Sequence, residues 1–142
     1  MIEQVRANIL FVDDEQPILK SLKRLMRQTG HTIHIAESGN QGLQVLEQQN
    51  IDVVVSDMRM PQMDGAVFLA EVAQRWPDTV RMLLTGYAEL SSAIEAINNG
   101  AISRYLTKPW QDEDLVLCIQ QAVENKRLKT SGWSMRSDSL RH

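Results

Sequence analysis

Asp13 and Asp14, Asp57, Thr85 and Lys108 each stand at the end of a short strand-like run: Asn8 to Val12, Asp52 to Ser56, Val80 to Leu84 and Ser103 to Thr107. Brought together, they supply three carboxylates, a hydroxyl and an ammonium. A few carboxylates plus water and a phosphate oxygen are what Mg²⁺ prefers. A carboxylate can also act as a nucleophile and form an aspartyl phosphate. A threonine hydroxyl can donate to a phosphoryl oxygen, and a lysine can neutralise one as a point charge. The set suits phosphoryl transfer if the fold makes it converge. Taken singly, each residue has a plainer reading: a helix cap beside a solvated neighbour for Asp13-Asp14, a loop cap for Asp57, an ordinary Thr-Gly turn, a surface lysine.

The apolar runs that must position these groups are near-continuous, as in strands buried on both faces of a parallel sheet. Thr32 to Ala36 is weaker and alternates, as an edge strand does. Helical periods lie between the runs. Ile18, Leu19, Leu22, Leu25 and Met26 form the first, with Asp14 as the expected N-cap, Pro17 in the first turn and Gly30 as the stop. Others follow Ser38-Gly39, Asp64-Gly65, Ser91-Ser92 (with Ile94 and Ile97 as its apolar positions) and Asp112. Five strand-helix units in strict alternation predict an α/β, flavodoxin-like (βα)5 fold, a doubly wound parallel sheet of strand order 2-1-3-4-5. In such a sheet ligands bind at the C-terminal ends of the strands, which is where the polar residues stand.

The chain of 142 residues suits one domain, predicted over 1-129, with a polar basic tail or linker over 130-142. Met1 to Asn125 carries 10 Lys/Arg against 17 Asp/Glu, whereas Lys126 to His142 carries 5 against 1. An acidic body argues against direct nucleic-acid binding by this domain. Cys118, the single cysteine, falls within a helical period and is expected to be a small core residue. No apolar run has the length of a membrane span and no signal-peptide core is evident, so the expected compartment is cytoplasmic, without membrane contact. His31, His34 and His142 lack ligand-like spacing for zinc. Trp76 and Trp110 are expected to pack beside Pro77 and Pro109, and Trp133 falls in the tail. Met58, Met60 and Met63 suit either a soft partner surface or filling around the site.

Leu10-Phe11-Val12-Asp13-Asp14-Glu15, Ser56-Asp57-Met58-Arg59-Met60-Pro61-Gln62-Met63-Asp64-Gly65, Leu84-Thr85-Gly86-Tyr87 and Tyr105-Leu106-Thr107-Lys108-Pro109-Trp110 together resemble the receiver domain of bacterial two-component response regulators. The resemblance runs from about Asn8 to Arg127. Its Thr-Gly-Tyr-Ala and Leu-Thr-Lys-Pro-Trp segments are most similar to receivers of HD-GYP phosphodiesterases and of hydrogenase-type transcriptional regulators. It implies phosphorylation at Asp57 and a metal, Mg²⁺ or Mn²⁺, held by Asp13, Asp14, Asp57 and the Arg59 backbone carbonyl. It further implies catalytic roles for Lys108 and Thr85, a switch pair of Thr85 and Tyr105, and Met58, Gly86, Tyr87 and Pro109 flanking the site. Gly86 would let the backbone come close to a phosphate, and Pro109 permits a cis bond that aims Lys108.

The implied partners are a sensor histidine kinase as phosphodonor and an output domain or effector, with a possible homodimer through the fourth helix, fifth strand and fifth helix. The protein would then be no enzyme toward outside substrates, catalysing only its own phosphorylation and dephosphorylation. An aspartate-nucleophile phosphohydrolase is the rival, but it needs a second acid two positions after the nucleophile, where this chain has Arg59. A phosphorylation-independent interaction module is a third reading. A nucleotide-binding domain fits less well, since no Gly-rich phosphate loop follows the first strand.

Overall fold

A computed structural model describes residues 6–128. The predicted tail over 130-142, with Trp133 and His142, lies outside the described residues. Five strands alternate with five helices: β1 Asn8–Val12, α1 Gln16–Leu25, β2 Thr32–Ala36, α2 Gly39–Gln48, β3 Val53–Asp57, α3 Gly65–Arg75, β4 Val80–Thr85, α4 Leu90–Asn98, β5 Arg104–Thr107 and α5 Asp112–Leu128. They form one parallel sheet in the order β2-β1-β3-β4-β5. This is the predicted flavodoxin-like order, with β2 at an edge.

Because side chains alternate across a strand, β1 feeds two cores. Leu10 and Val12 join Val54, Leu83, Phe68, Leu69 and Ala93 beneath α2, α3 and α4. Ile9 and Phe11 join Val53, Val55, Leu84, Leu19 and Ile119 beneath α1 and α5. All five residues of β3 are buried: Val53 to Val55 as their apolarity predicts, and the polar Ser56 and Asp57 with them.

Local chemistry sets most boundaries. Ser38 and Asp64 cap α2 and α3, accepting from the backbone N–H of Gln41 and Val67 at 3.1 and 2.8 Å. Gly30 ends a 3-10 turn, Met26–Thr29, that prolongs α1, and adopts the left-handed conformation at φ 82°. Two expectations need correction. Asp14 does not cap α1; Glu15 occupies that position without a side-chain bond, and the carboxylate serving the turn is that of Asp13. Ser91 and Ser92 do not precede α4 but lie within it, after a 3-10 turn over Tyr87–Glu89.

The packing of α4 also departs from its apolar pattern. Ala93 and Ala96 are buried, while Ile94 and Ile97 are 45% and 37% exposed. Small side chains let the helix lie close on the sheet, and the isoleucines are left facing outward. Cys118 is half-buried at the edge of the α1/α5 core and accepts from Arg104 Nη1 at 3.2 Å. Trp76 and Trp110 pack on the two cores, and the Arg75 guanidinium lies 4.5 Å from the Trp76 ring centre. Met58 and Met60 are buried and Met63 packs against the same core, which favours filling over a partner surface.

Candidate functional site

The four strand ends converge at the C-terminal edge of the sheet. Asp57 and Thr85 are the last residues of β3 and β4, and the ladder continues past them. Met58 N–H donates to Leu84 O at 2.9 Å and Lys108 N–H to Thr85 O at 2.8 Å. The sheet's hydrogen bonding thus extends one residue into the loops after β3 and β5. Carboxylate oxygens of Asp13, Asp14 and Asp57 lie within 4.8 Å of one another. Asp13 and Asp57 are buried and Asp14 is exposed.

The two carboxylate oxygens of Asp13 do different things. Oδ1 accepts the Glu15 N–H at 2.9 Å, closing the turn into α1, whereas Oδ2 is buried with no hydrogen-bond partner. Burial pushes the Asp13 pKa up to about 6; the charge of Asp57, and less so that of Asp14, adds to this, against the Glu15 N–H and the Lys108 charge. The Lys108 ammonium ion-pairs with Asp57 Oδ1, an oxygen that otherwise accepts no hydrogen bond. One ammonium faces three carboxylates, and a buried carboxylate oxygen without a partner is costly. A hard cation would satisfy that oxygen and offset the excess charge, so the donor set fits Mg²⁺.

Thr85 is fully buried and its hydroxyl donates to Gly86 O at 3.2 Å. Tyr105 is half-buried on the α2/α3/α4 core. Tyr87 is 75% exposed on the rim. The Lys108-Pro109 bond is cis. Gly86 has an ordinary φ of −89° and open space where a Cβ would stand, so no neighbouring protein atom requires glycine there. The predicted site residues are thus brought to one edge, with Tyr105 one layer behind.

Three contacts around the site were not predicted. Gly65 lies so close to β3 that a Cβ would fall 2.2 Å from Asp57 O, and its N–H donates to Met58 O at 2.7 Å. The Asp-Gly pair signals a helix start in sequence, but not this contact. Gln62 holds a positive φ of 71°, bracketed by a bond from Met63 N–H to Pro61 O at 2.7 Å. Arg59 turns its guanidinium to Glu89, thirty residues further along the chain.

Residues 9–120 match the response regulator receiver domain. The chain belongs to the response regulator receiver family. Among its relatives, the hydrogenase transcriptional regulatory protein HoxA of Bradyrhizobium diazoefficiens is 33% identical over 139 residues, covering 95% of this chain and 28% of that protein. The transcriptional regulatory protein GlrR of Escherichia coli is 36% identical over 118 residues, 83% of this chain and 26% of its own length. This receiver therefore spans about a quarter of those curated relatives. A solved signal receiver domain of an HD domain-containing protein from Pseudomonas fluorescens is 42% identical, with a TM-score of 0.82, covering 87% of this chain and 98% of that one. The resemblances to receivers of hydrogenase-type regulators and of HD-domain proteins are both represented.

Proposed function

We propose that this receiver accepts a phosphoryl group on Asp57 from the phosphohistidine of a sensor kinase. The observation that carries the proposal is the buried, unpartnered Asp13 Oδ2 beside Asp57 and Lys108. An Asp57 carboxylate oxygen attacks phosphorus in line, the P–N bond breaks, and its electron pair leaves with the imidazole. Asp13, Asp14, Asp57 and the Arg59 carbonyl would hold Mg²⁺, or Mn²⁺, whose charge offsets that of the phosphoryl oxygens when it is bound. Lys108 and the Thr85 hydroxyl hold those oxygens, so rate comes from positioning and charge neutralisation. For Thr85 this means giving up its bond to Gly86 O and turning outward, which vacates space for Tyr105. The altered surface of α4, β5 and α5 then meets an output domain, an effector or a second receiver. Exposed Ile94, Ile97 and Leu117 support an apolar contact there.

In this reading the protein works in the cytoplasm and turns over no outside substrate. Incubation with Mg²⁺ and acetyl phosphate should add one phosphate to the intact protein and none to Asp57→Asn. Phosphate retained in the variant, or absent from the parent protein, counts against the assignment.

A further inference from the structure

Two loops border the mouth of the crevice, 58–64 after β3 and 86–89 after β4. The side chains of Arg59 and Glu89 join them through an ion pair. Glu89 immediately precedes α4, yet its carboxylate caps no backbone N–H of that helix; it is turned to Arg59. Arg59 lies two residues beyond Asp57. Its charged form is favoured first by the hydrogen bond and charge of Glu89, and to a smaller degree by the charge of Asp57. The guanidinium therefore stands within electrostatic reach of both carboxylates.

The two ends of α4 are held unequally. At the C-terminal end, Ala101 N–H donates to Ala96 O at 2.9 Å and Gly100 N–H to Ile97 O at 3.0 Å. The half-buried Arg81 guanidinium adds bonds to Ala101 O and Gly100 O at 2.8 and 3.3 Å. At the N-terminal end the 3-10 turn has no side-chain cap, and its tie to the β3 loop is the Arg59–Glu89 pair, with the arginine 75% exposed. An exposed ion pair of this kind is weak.

We propose that Glu89 is a positioning residue acting through Arg59: the pair latches the start of α4 to the loop after Asp57, and a phosphoryl group on Asp57 draws Arg59 away. This rests on the phospho-acceptor reading above. An acyl phosphate on Asp57 carries nearly two negative charges where the free carboxylate carried one, and it brings three acceptor oxygens close to Arg59, more than one partly exposed carboxylate offers. The exchange frees the start of α4, including exposed Tyr87, by a route separate from Thr85 and Tyr105.

Hydrogen exchange read by mass spectrometry over residues 87–95, in the parent protein and in Glu89→Gln, tests this. Without phosphodonor, Glu89→Gln should exchange about two- to five-fold faster there, the range an exposed ion pair supports. With Mg²⁺ and acetyl phosphate the two proteins should converge. Equal exchange before phosphorylation overturns the latch, and a difference that persists undiminished afterwards overturns the exchange of partners. Intact mass of the same samples separates the two readings. If the parent takes up no phosphate, the phospho-acceptor reading fails and the partner exchange with it, while the unphosphorylated comparison still decides the latch.

Discussion

The two edges of the sheet carry similar polar residues under opposite conditions. At the N-terminal edge, among the described residues, the side chains of Asp52, Thr79 and Arg81 all have partners. Asp52 accepts from Asn8 N–H at 2.8 Å and from Lys126 Nζ at 3.1 Å, and Thr79 Oγ1 donates to Ile51 O at 3.0 Å. Arg81 donates to the carbonyls of Pro77, Thr79, Gly100 and Ala101. At the C-terminal edge Asp13 Oδ2 has no hydrogen-bond partner, Asp57 Oδ1 has only the ammonium of Lys108, and the Asp13 pKa is raised. Polar burial at one edge is spent on holding loops together; at the other it is left unfinished, and the unfinished end is where a ligand has something to gain. Composition does not separate the two edges. Satisfaction of the hydrogen bonds does.

The largest effect is expected from breaking the satisfied edge. Arg81→Met keeps most of the apolar stem but leaves carbonyls of two loops without their donor, so the protein should lose roughly 2–3 kcal/mol of stability. Urea denaturation followed by circular dichroism would read it as a lower midpoint. A change under about 0.5 kcal/mol, the level of an ordinary surface substitution, would mean that water replaces the guanidinium without cost. The two edges would then differ less than their hydrogen bonds imply.

The same contrast explains how much of the molecule could be read from sequence. Strand ends were legible because Val53, Val54 and Val55 or Leu83 and Leu84 allow no reading but a buried strand, and the polar residue that follows each run has to emerge at its C-terminal edge. The divided role of Asp13 was not: a cap and a ligand both ask for a carboxylate, and only the geometry assigns Oδ1 to Glu15 and leaves Oδ2 over. For α4 the pattern misled. Ile94 and Ile97 are the strongest apolar positions in that segment, but close approach to the sheet favours Ala93 and Ala96, and periodicity alone does not measure how near a helix lies. Contacts such as Arg59 with Glu89 and Gly65 with Asp57 join loops distant in sequence and leave no local signal.

Relieving the unsatisfied edge should act in the opposite direction and more weakly. Asp13→Asn removes a buried charge while keeping an oxygen to accept the Glu15 N–H, so the metal-free protein should gain about 1 kcal/mol. Binding of Mg²⁺, followed by titration calorimetry, should weaken at least ten-fold. A variant that is both less stable and equally good at binding Mg²⁺ would place Asp13 with the structural residues instead.

The smallest effect is the pH dependence of the metal-free protein. Asp13 has a folded-state pKa of about 6 against an ordinary value of 3.8, so between these values the folded form holds a proton that the unfolded form has released. Its contribution to stability is fully present below pH 3.8 and is lost as pH rises through 6. Between pH 6 and pH 7 the loss amounts to roughly a few tenths of a kcal/mol. Thermal unfolding across that interval should show the decline in the parent protein and not in Asp13→Asn. Saturating Mg²⁺ should reverse it, because the cation binds the charged carboxylate that the proton otherwise neutralises. A profile that is flat in the parent, or that falls equally in both proteins, would assign the charge imbalance to residues other than Asp13.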